Sequence, residues 1–437
     1  MAALRAASGS GLPILQPRCG VGGHQAMKDL LIGLEAGAAP GLLSITIDSH
    51  TRLRKFETAA RTLRDCPANL NGYPLVAHGW RRGLELNEAV LAPLEIRHGS
   101  PDPRELFATA IAAGVISFEG GGVCYNLPYS KDVPLARSLE AWRQVDRSCG
   151  LLARDGIIVD RELFGTLTAV MVPPSISLAV TILEAVMAAE QGVRCISIAY
   201  PQNGEIIQDV AALRAVGPLA RRYLPDDVEV FSVLHQFMGV FPLDAQAADE
   251  LILLGGLVAR LGGATKVITK TNQEAYGIPD TAANVHGLRT TALAFSALLD
   301  TMIVVDAERV EEEQHWLERE VTELVEPVLA QGERTGLATA VADAFSRGTL
   351  DIPFSASIHA HSAVIPQRGR NGAVRFLDSG RLPFSPEVLA RNDGLSSRSP
   401  ADFRTISSQI AADINYFRDR RAAIVSPQRY LGDEKSL

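Results

Sequence analysis

The chain has 437 residues, enough for one large barrel-type domain with an extension or for two or three smaller domains. It is 47% hydrophobic and 21% charged, an ordinary globular composition, and its net charge of −8 with no Lys/Arg-rich block argues against a nucleic-acid partner. The five cysteines (Cys19, Cys66, Cys124, Cys149, Cys195) are scattered without a C-x-x-C, which points to a reducing cytoplasm and to neither a disulfide framework nor a zinc site.

The first eleven residues lack the apolar core of a signal peptide. Strand-like apolar runs that stop on polar tips then recur along the chain. The first, 12–16, runs into Arg18 and Cys19. The second, 42–47, stops at Asp48, His50 and Arg52. Next come 73–76, ending at His78, and 94–96, ending at Arg97 and His98. The run 115–118 stops at Glu119, and 167–172 stops at Pro173. The last three are 195–199, 228–234 ending at His235, and Lys266–Thr269 ending at Lys270. Helical segments separate them. Residues 103–113 and 249–261 fit helices, and 176–191 is apolar enough to pack on a sheet. Ile206–Tyr223 has the spacing of an amphipathic surface helix. The longest apolar stretches, near 176–187 and 291–299, are too short to span a bilayer and read as buried helices.

Nine candidate strands alternating with helices predict an α/β protein, an eight-stranded (β/α)8 TIM barrel with one strand in excess. The region from Leu12 to Thr271 has about the ~250 residues typical of that fold. A doubly wound open sheet is the competitor. It calls for a glycine-rich phosphate loop after an early strand, and neither G-x-G-x-x-G nor G-x-x-x-x-G-K-[ST] occurs. After Thr271 the pattern changes. Residues 284–303 read as helix, and 307–329 as an acidic helix whose charge run is a solvated face. From Leu350 onwards Pro, Ser, Gly and Asn become frequent, and short strands are expected in a cap. The expected division is a catalytic barrel over 1–290 and a C-terminal helical and irregular extension over 291–437, with 425–437 disordered.

The chemistry concentrates at 94–129. In a parallel α/β protein the strand C-termini form the working face, so Arg97, His98 and Glu119 converge there. Gly120, Gly121 and Gly122 let backbone approach a ligand closely. Tyr125 and Tyr129 follow as flat groups with hydroxyls. The plain alternative is that Arg97 and Glu119 simply pair with each other. Arg18, Arg52 and Arg97 all sit at strand tips. Three guanidinium groups overcharge a site unless a dianion neutralises them, which implies a small dicarboxylate ligand; the plain alternative is that each pairs with a local carboxylate such as Asp48 or Glu95. Glu119 is then a contact for a substrate amino group, or a base. His98 and His235 are candidate donors. Lys270 and Glu274 face one another if helical; alternatively Lys270 is a Schiff-base lysine of a barrel lyase or aldolase. The close pair His359 and His361 is too little to define a metal site.

Longer strings carry a specific resemblance. Residues 16–18 (QPR), 46–52 (TIDSHTR), 71–74 (NGYP), 97–102 (RHGSPD) and 119–129 (EGGGVCYNLPY) resemble the large (epsilon) subunit of glutamate mutase, also called methylaspartate mutase. So do 160–168 (DRELFGTLT), 264–271 (ATKVITKT), 274–279 (EAYGIP), 351–354 (DIPF) and 372–378 (GAVRFLD). The resemblance runs in order from about Leu12 to about Pro386.

It implies a (β/α)8 barrel whose mouth holds adenosylcobalamin, shared with a small cobalamin-binding (sigma) subunit in a two-plus-two heterotetramer. The D-x-H-x-x-G motif of that small subunit is incomplete here: Asp48 and His50 lie at a strand tip without the glycine. The cobalt-ligating histidine is therefore expected from the partner, and no metal ligand from this chain. The implied reaction is a radical isomerisation of (S)-glutamate to (2S,3S)-3-methylaspartate. Residue by residue, Arg18, Arg52 and Arg97 match the arginines that grip the two carboxylates, and Glu119 the contact to the amino group. Tyr125 and Tyr129 match tyrosines beside it. Lys270 and Glu274 match the pair that holds the adenosine ribose, and His98 and His235 match site histidines. Gly120 and Gly121 are assigned to the cofactor side. The longer leading segment expected of the family is absent before the first strand, and residues beyond about 390 match less clearly. Besides the mutase, two readings stand: a cofactor-free lyase or aldolase using Lys270, and a barrel kept as a non-catalytic assembly partner.

Overall fold

The computed structural model describes all residues except 98, 167–170, 300–304, 396–404 and 419–437. Among them, eight parallel strands form one sheet that curls almost completely round. They are β1 (Ile14–Pro17), β2 (Leu43–Thr46), β3 (Leu94–Arg97), β4 (Ser117–Glu119), β5 (Asp160–Leu163), β6 (Cys195–Pro201), β7 (Glu229–His235) and β8 (Lys266–Thr269). Each pairs with its sequence neighbour from β2 to β8, and β8 pairs back with β1. The seam between β1 and β2 is closed just beyond the strand ends. Thr46 N–H donates to Cys19 O (2.8 Å), and Ser44 Oγ donates to Pro17 O (2.5 Å). The result is a (β/α)8 barrel with a helical C-terminal extension, as expected.

Seven of the nine expected strands are present. The run at 73–76 instead enters a short helix, Leu75–His78, after a single bridge between Ile47 and Tyr73. Pro74 fixes its φ and has no N–H for a ladder, which favours the turn. The fifth strand is Asp160–Leu163, which the expectation missed; of the expected 167–172, residues 167–170 lie outside the described residues. The reason is polarity. Asp160 and Glu162 point into the barrel, while Arg161 points outward onto the helix Leu135–Arg154, where it pairs with Asp146 at 2.8 Å. This is the ordinary period of two, with charges on both faces.

The helix Ile206–Tyr223 has its expected bounds, but it is not a surface helix. The long helix Ala307–Thr335 covers it, so Val210, Leu213 and Val216 are buried alongside Gln208 and Asp209. That long helix also departs from a simple solvated face. Glu313 is buried between Arg375 (2.6 Å) and Arg391, and Glu320 accepts from Asn392 (3.0 Å). The expected helix 284–303 ends at Leu293; its last residues, 300–303, lie outside the described residues. The short strands expected after Leu350 form a hairpin, Ile365–Arg368 with Val374–Asp378. The expected disorder at 425–437 also falls outside the described residues. No described helix is long and apolar enough to cross a membrane.

Candidate functional site at the barrel mouth

The inside of the barrel is polar. From β3, Glu95 and Arg97 point inward; β4 adds Ser117 and Glu119, β5 Asp160 and Glu162, β7 His235 and β8 Lys266, all of them buried. Arg97 is the hub. Its Nη1 donates to Glu95 (2.6 Å) and Glu162 (3.1 Å); its Nη2 donates to Glu119 (3.0 Å) and lies 3.2 Å from His235 Nε2. Glu119 also accepts from the Tyr125 hydroxyl (3.0 Å). Beneath this layer Lys266 Nζ lies 2.5 Å from Glu95 and 2.6 Å from Glu162, and Ser117 Oγ lies within hydrogen-bond distance of Glu95 (2.8 Å) and Asp160 (3.1 Å).

The charges are not shared equally. Burial works against every ion in the network. At Glu162, Arg97 and Lys266 overcome it and hold the carboxyl well below its usual range. At Glu95, burial and the Glu162 charge push the carboxyl up, and Lys266 and Arg97 offset this only in part. Of the two, Glu95 is therefore the one that takes up a proton first. Burial and the Arg97 charge press His235 down to about 3, so its imidazole is neutral. With the Glu162 carboxylate at 2.9 Å, its proton is on Nε2. Glu119, Glu162 and His235 are close enough to share a cation. The Arg97 guanidinium already contacts all three.

Lys270 and Glu274 close the β8 tip, with Nζ 2.5 Å from Oε2. Burial lowers the Lys270 ammonium to about 8 against the pull of Glu274; Lys270 and then Arg18 outweigh burial to hold Glu274 down. Arg18 also acts on His235 and, with Arg52, on Tyr129. Arg18 directly follows β1, Arg52 ends the short helix after β2 and Arg97 ends β3, so the three arginines lie at the same, C-terminal end of the parallel barrel. Arg52 ends a short helix, Ser49–Arg52, which Asp48 caps by accepting from the amides of His50 (2.9 Å) and Thr51 (3.1 Å). Tyr125 and Tyr129 stack with ring centroids 5.7 Å apart; the former is buried, the latter exposed at the rim. His98 lies outside the described residues.

Two points differ from expectation. The alternative in which Arg97 and Glu119 pair is met, and both terminal nitrogens of Arg97 are committed to protein groups; Nε alone has no hydrogen-bond partner among the described residues. The glycines also have a different reason. A Cβ at Gly120 would stand 2.7 Å from Trp142, and one at Gly121 2.5 Å from the Glu184 carboxyl carbon. The close approach is to protein. The residues that sequence reasoning missed are Asp160, Glu162 and Lys266; Glu95 is the local partner for Arg97 that the plain alternative named (2.6 Å). Their signal was charge at alternate positions within apolar strands.

Residues 1–419 match the family model described as "Methylaspartate mutase E chain". The chain belongs to the glutamate mutase epsilon-subunit family. The match continues past residue 390, where the resemblance had thinned. The chain is 41% identical over 405 residues to the glutamate mutase epsilon subunit of Halobacterium salinarum, covering 92% of this chain and 84% of that protein. With the epsilon subunit of Yersinia enterocolitica the figures are 38% over 420 residues, 94% and 86%. Among solved structures, a sialic acid synthetase from Leptospira borgpetersenii covers 70% of this chain and 92% of its own at 13% identity and TM-score 0.37. The epsilon-subunit relationship makes this chain a mutase component, and the word "subunit" in its relatives' names makes them parts of an assembly.

Proposed function

We propose that this chain is the catalytic large subunit of an adenosylcobalamin-dependent glutamate mutase that converts (S)-glutamate to (2S,3S)-3-methylaspartate. The observation that carries the reading is the Arg97–Glu119–Tyr125 cluster at the C-terminal end of a barrel of this family, the end at which Arg18 and Arg52 also follow their strands. Two substrate carboxylates would neutralise Arg18 and Arg52, with Arg97 as a fixed charge offering Nε. Glu119, anchored by Arg97 and Tyr125, would take the amino group, with Tyr129 at the rim and His98 as a further substrate contact. The barrel wall keeps water from the reacting carbons.

The cofactor fits the residues present. Buried polar atoms without partners among the described residues follow the strand tips: both amide atoms of Gln16, Thr46 Oγ1, Thr166 Oγ1 and His235 Nδ1. Buried polar groups of this kind normally find partners. Lys270 and Glu274 would hold the adenosine ribose, and His235 together with the backbone at Gly120 and Gly121 would line the cofactor side. Bound adenosylcobalamin supplies the organic radical that starts the rearrangement. The protein's part is to bind, orient and enclose. The cobalt ligand would come from a small cobalamin-binding subunit, in a two-plus-two assembly in the cytoplasm. The division into barrel (1–290) and extension (291–437) belongs to the same proposal.

The test is reconstitution. This chain, a cobalamin-binding small subunit, adenosylcobalamin and (S)-glutamate are mixed in the dark, and the methyl doublet of 3-methylaspartate is followed by NMR. A doublet that needs every component is the expected result. No product with a partner shown to bind overturns the reading, and borohydride trapping of a substrate imine on Lys270 would replace it with the lyase.

A further inference from the structure

The helix Pro174–Glu190 is apolar along nearly its whole length, yet it carries one carboxylate midway, Glu184, which is buried. Burial pushes this carboxyl up to about 7 even though two backbone amides favour its charged form, and a polar group buried on the face of a helix that packs against a barrel is costly unless it is hydrogen-bonded. Glu184 Oε1 accepts from the backbone amides of Val123 (2.6 Å) and Cys124 (3.2 Å). These amides immediately precede Tyr125, whose hydroxyl holds Glu119. Gly121 has no Cβ because the Glu184 carboxyl fills that space. On the other side of the same loop, Arg161 donates to the carbonyls of Phe118 (2.6 Å) and Gly120 (2.8 Å), which flank Glu119, and Ser138 Oγ donates to Gly122 O (2.8 Å). The loop that carries both Glu119 and Tyr125 is thus gripped through its backbone from outside the barrel wall. Arg161 holds carbonyls and Glu184 holds amides.

We infer that Glu184 is a positioning residue that fixes the Tyr125–Glu119 pair through the amides of residues 123 and 124. It touches neither substrate nor cofactor. The inference rests on the proposed role of Glu119 as a substrate contact. A misplacement of about 1 Å at a reacting centre costs on the order of 100-fold in rate, and that is the loss expected in kcat/KM for E184A. Glutamine keeps an acceptor oxygen for the same two amides, so E184Q is expected to retain activity within about 3-fold, since Oε1 alone carries both bonds.

The experiment has three parts. Hydrogen exchange on the isolated chain reads residues 121–125 directly: E184A should exchange the amides of 123 and 124 at least about 10-fold faster, whereas E184Q should not. Kinetics of the reconstituted enzyme then compare E184A, E184Q and E119Q. A double-mutant cycle pairs G121A with E184A. Alone, G121A drives its methyl into the Glu184 carboxyl and should cost as much as E184A; with Ala at 184 the methyl has room, so the double variant should be no worse than either single. Additive losses, unchanged exchange at 123 and 124, or wild-type kinetics for E184A beside an impaired E119Q would overturn the inference. If E119Q itself turns over glutamate normally, the proposed site fails instead. If E184A does not fold, G121A and E184Q carry the comparison.

Discussion

Glu162 and Glu95 are two buried carboxyl groups that share Lys266 and Arg97, and they should respond unequally to the same isosteric change. Glu162 carries the charge: Lys266 lies 2.6 Å away, His235 2.9 Å and Arg97 3.1 Å. Replacing it by Gln leaves two buried cations short of an anion, a loss that typically costs about 3–5 kcal/mol. Glu95 recovers part of this by ionising once its neighbour is neutral, so the lower end applies. Unfolding entropy of about 2.1 cal/mol/K per residue gives roughly 0.9 kcal/mol/K for a chain of this length, so about 3 kcal/mol lowers Tm by roughly 3 °C. Burial and the Glu162 charge push Glu95 up to about 7, so at neutral pH it is ionised only in part, and Glu95→Gln removes less charge and should lower Tm by roughly half as much. Scanning calorimetry of both variants at pH 7 decides it. Equal shifts, or a larger loss for Glu95→Gln, would refute the assignment of the charge to Glu162.

Arg97→Lys replaces a four-contact hub by a point charge and should lower kcat/KM for glutamate by about 100-fold in the reconstituted enzyme; unchanged kinetics would remove Arg97 from the site. His235 is held neutral in the fold, with a pKa of about 3 against 6.5 unfolded. A group depressed in this way contributes stability above pH 6.5 that is lost as pH falls toward 3, so on the order of 2 kcal/mol should disappear between pH 7 and pH 5. Urea midpoints at the two pH values should show that loss in the wild type and a smaller one in His235→Asn. In the extension, Glu313→Ala strands Arg375 and Arg391 and should cost about 3 kcal/mol. Adding Arg375→Leu should return part of it, and a cycle without coupling would count against the buried cluster.

How much of this was legible in the sequence depended on which residues carried the signal. Apolar strands with polar tips announced themselves, and so did Arg18, Arg52, Arg97 and Glu119, because charge at the end of an apolar run has few structural uses. The fifth strand did not. Asp160, Arg161 and Glu162 do not stand out as a strand, since a strand buried on both faces is expected to be apolar. Tyr73 misled in the opposite direction, an apolar run that Pro74 turns into a helix. The acidic run at 307–329 looked solvated because Arg375 and Arg391, which bury Glu313, lie more than sixty positions away in the chain.

The missed residues share one physical cause. A barrel of this size is ordinarily filled by branched apolar side chains, and here the layer beneath the mouth is an ion network instead. Such a network is a poor source of stability, because desolvation opposes each charge. Its use is positional. Glu95 and Glu162 hold Arg97, with Lys266 beneath them, and Arg161 and Glu184 hold the Glu119 loop through its backbone. The Arg97 charge then costs no reorganisation at the moment of binding, which is how fixed charges in a low-dielectric site act most strongly. The same residues that obscured the strand in the sequence are the ones that hold the site in shape.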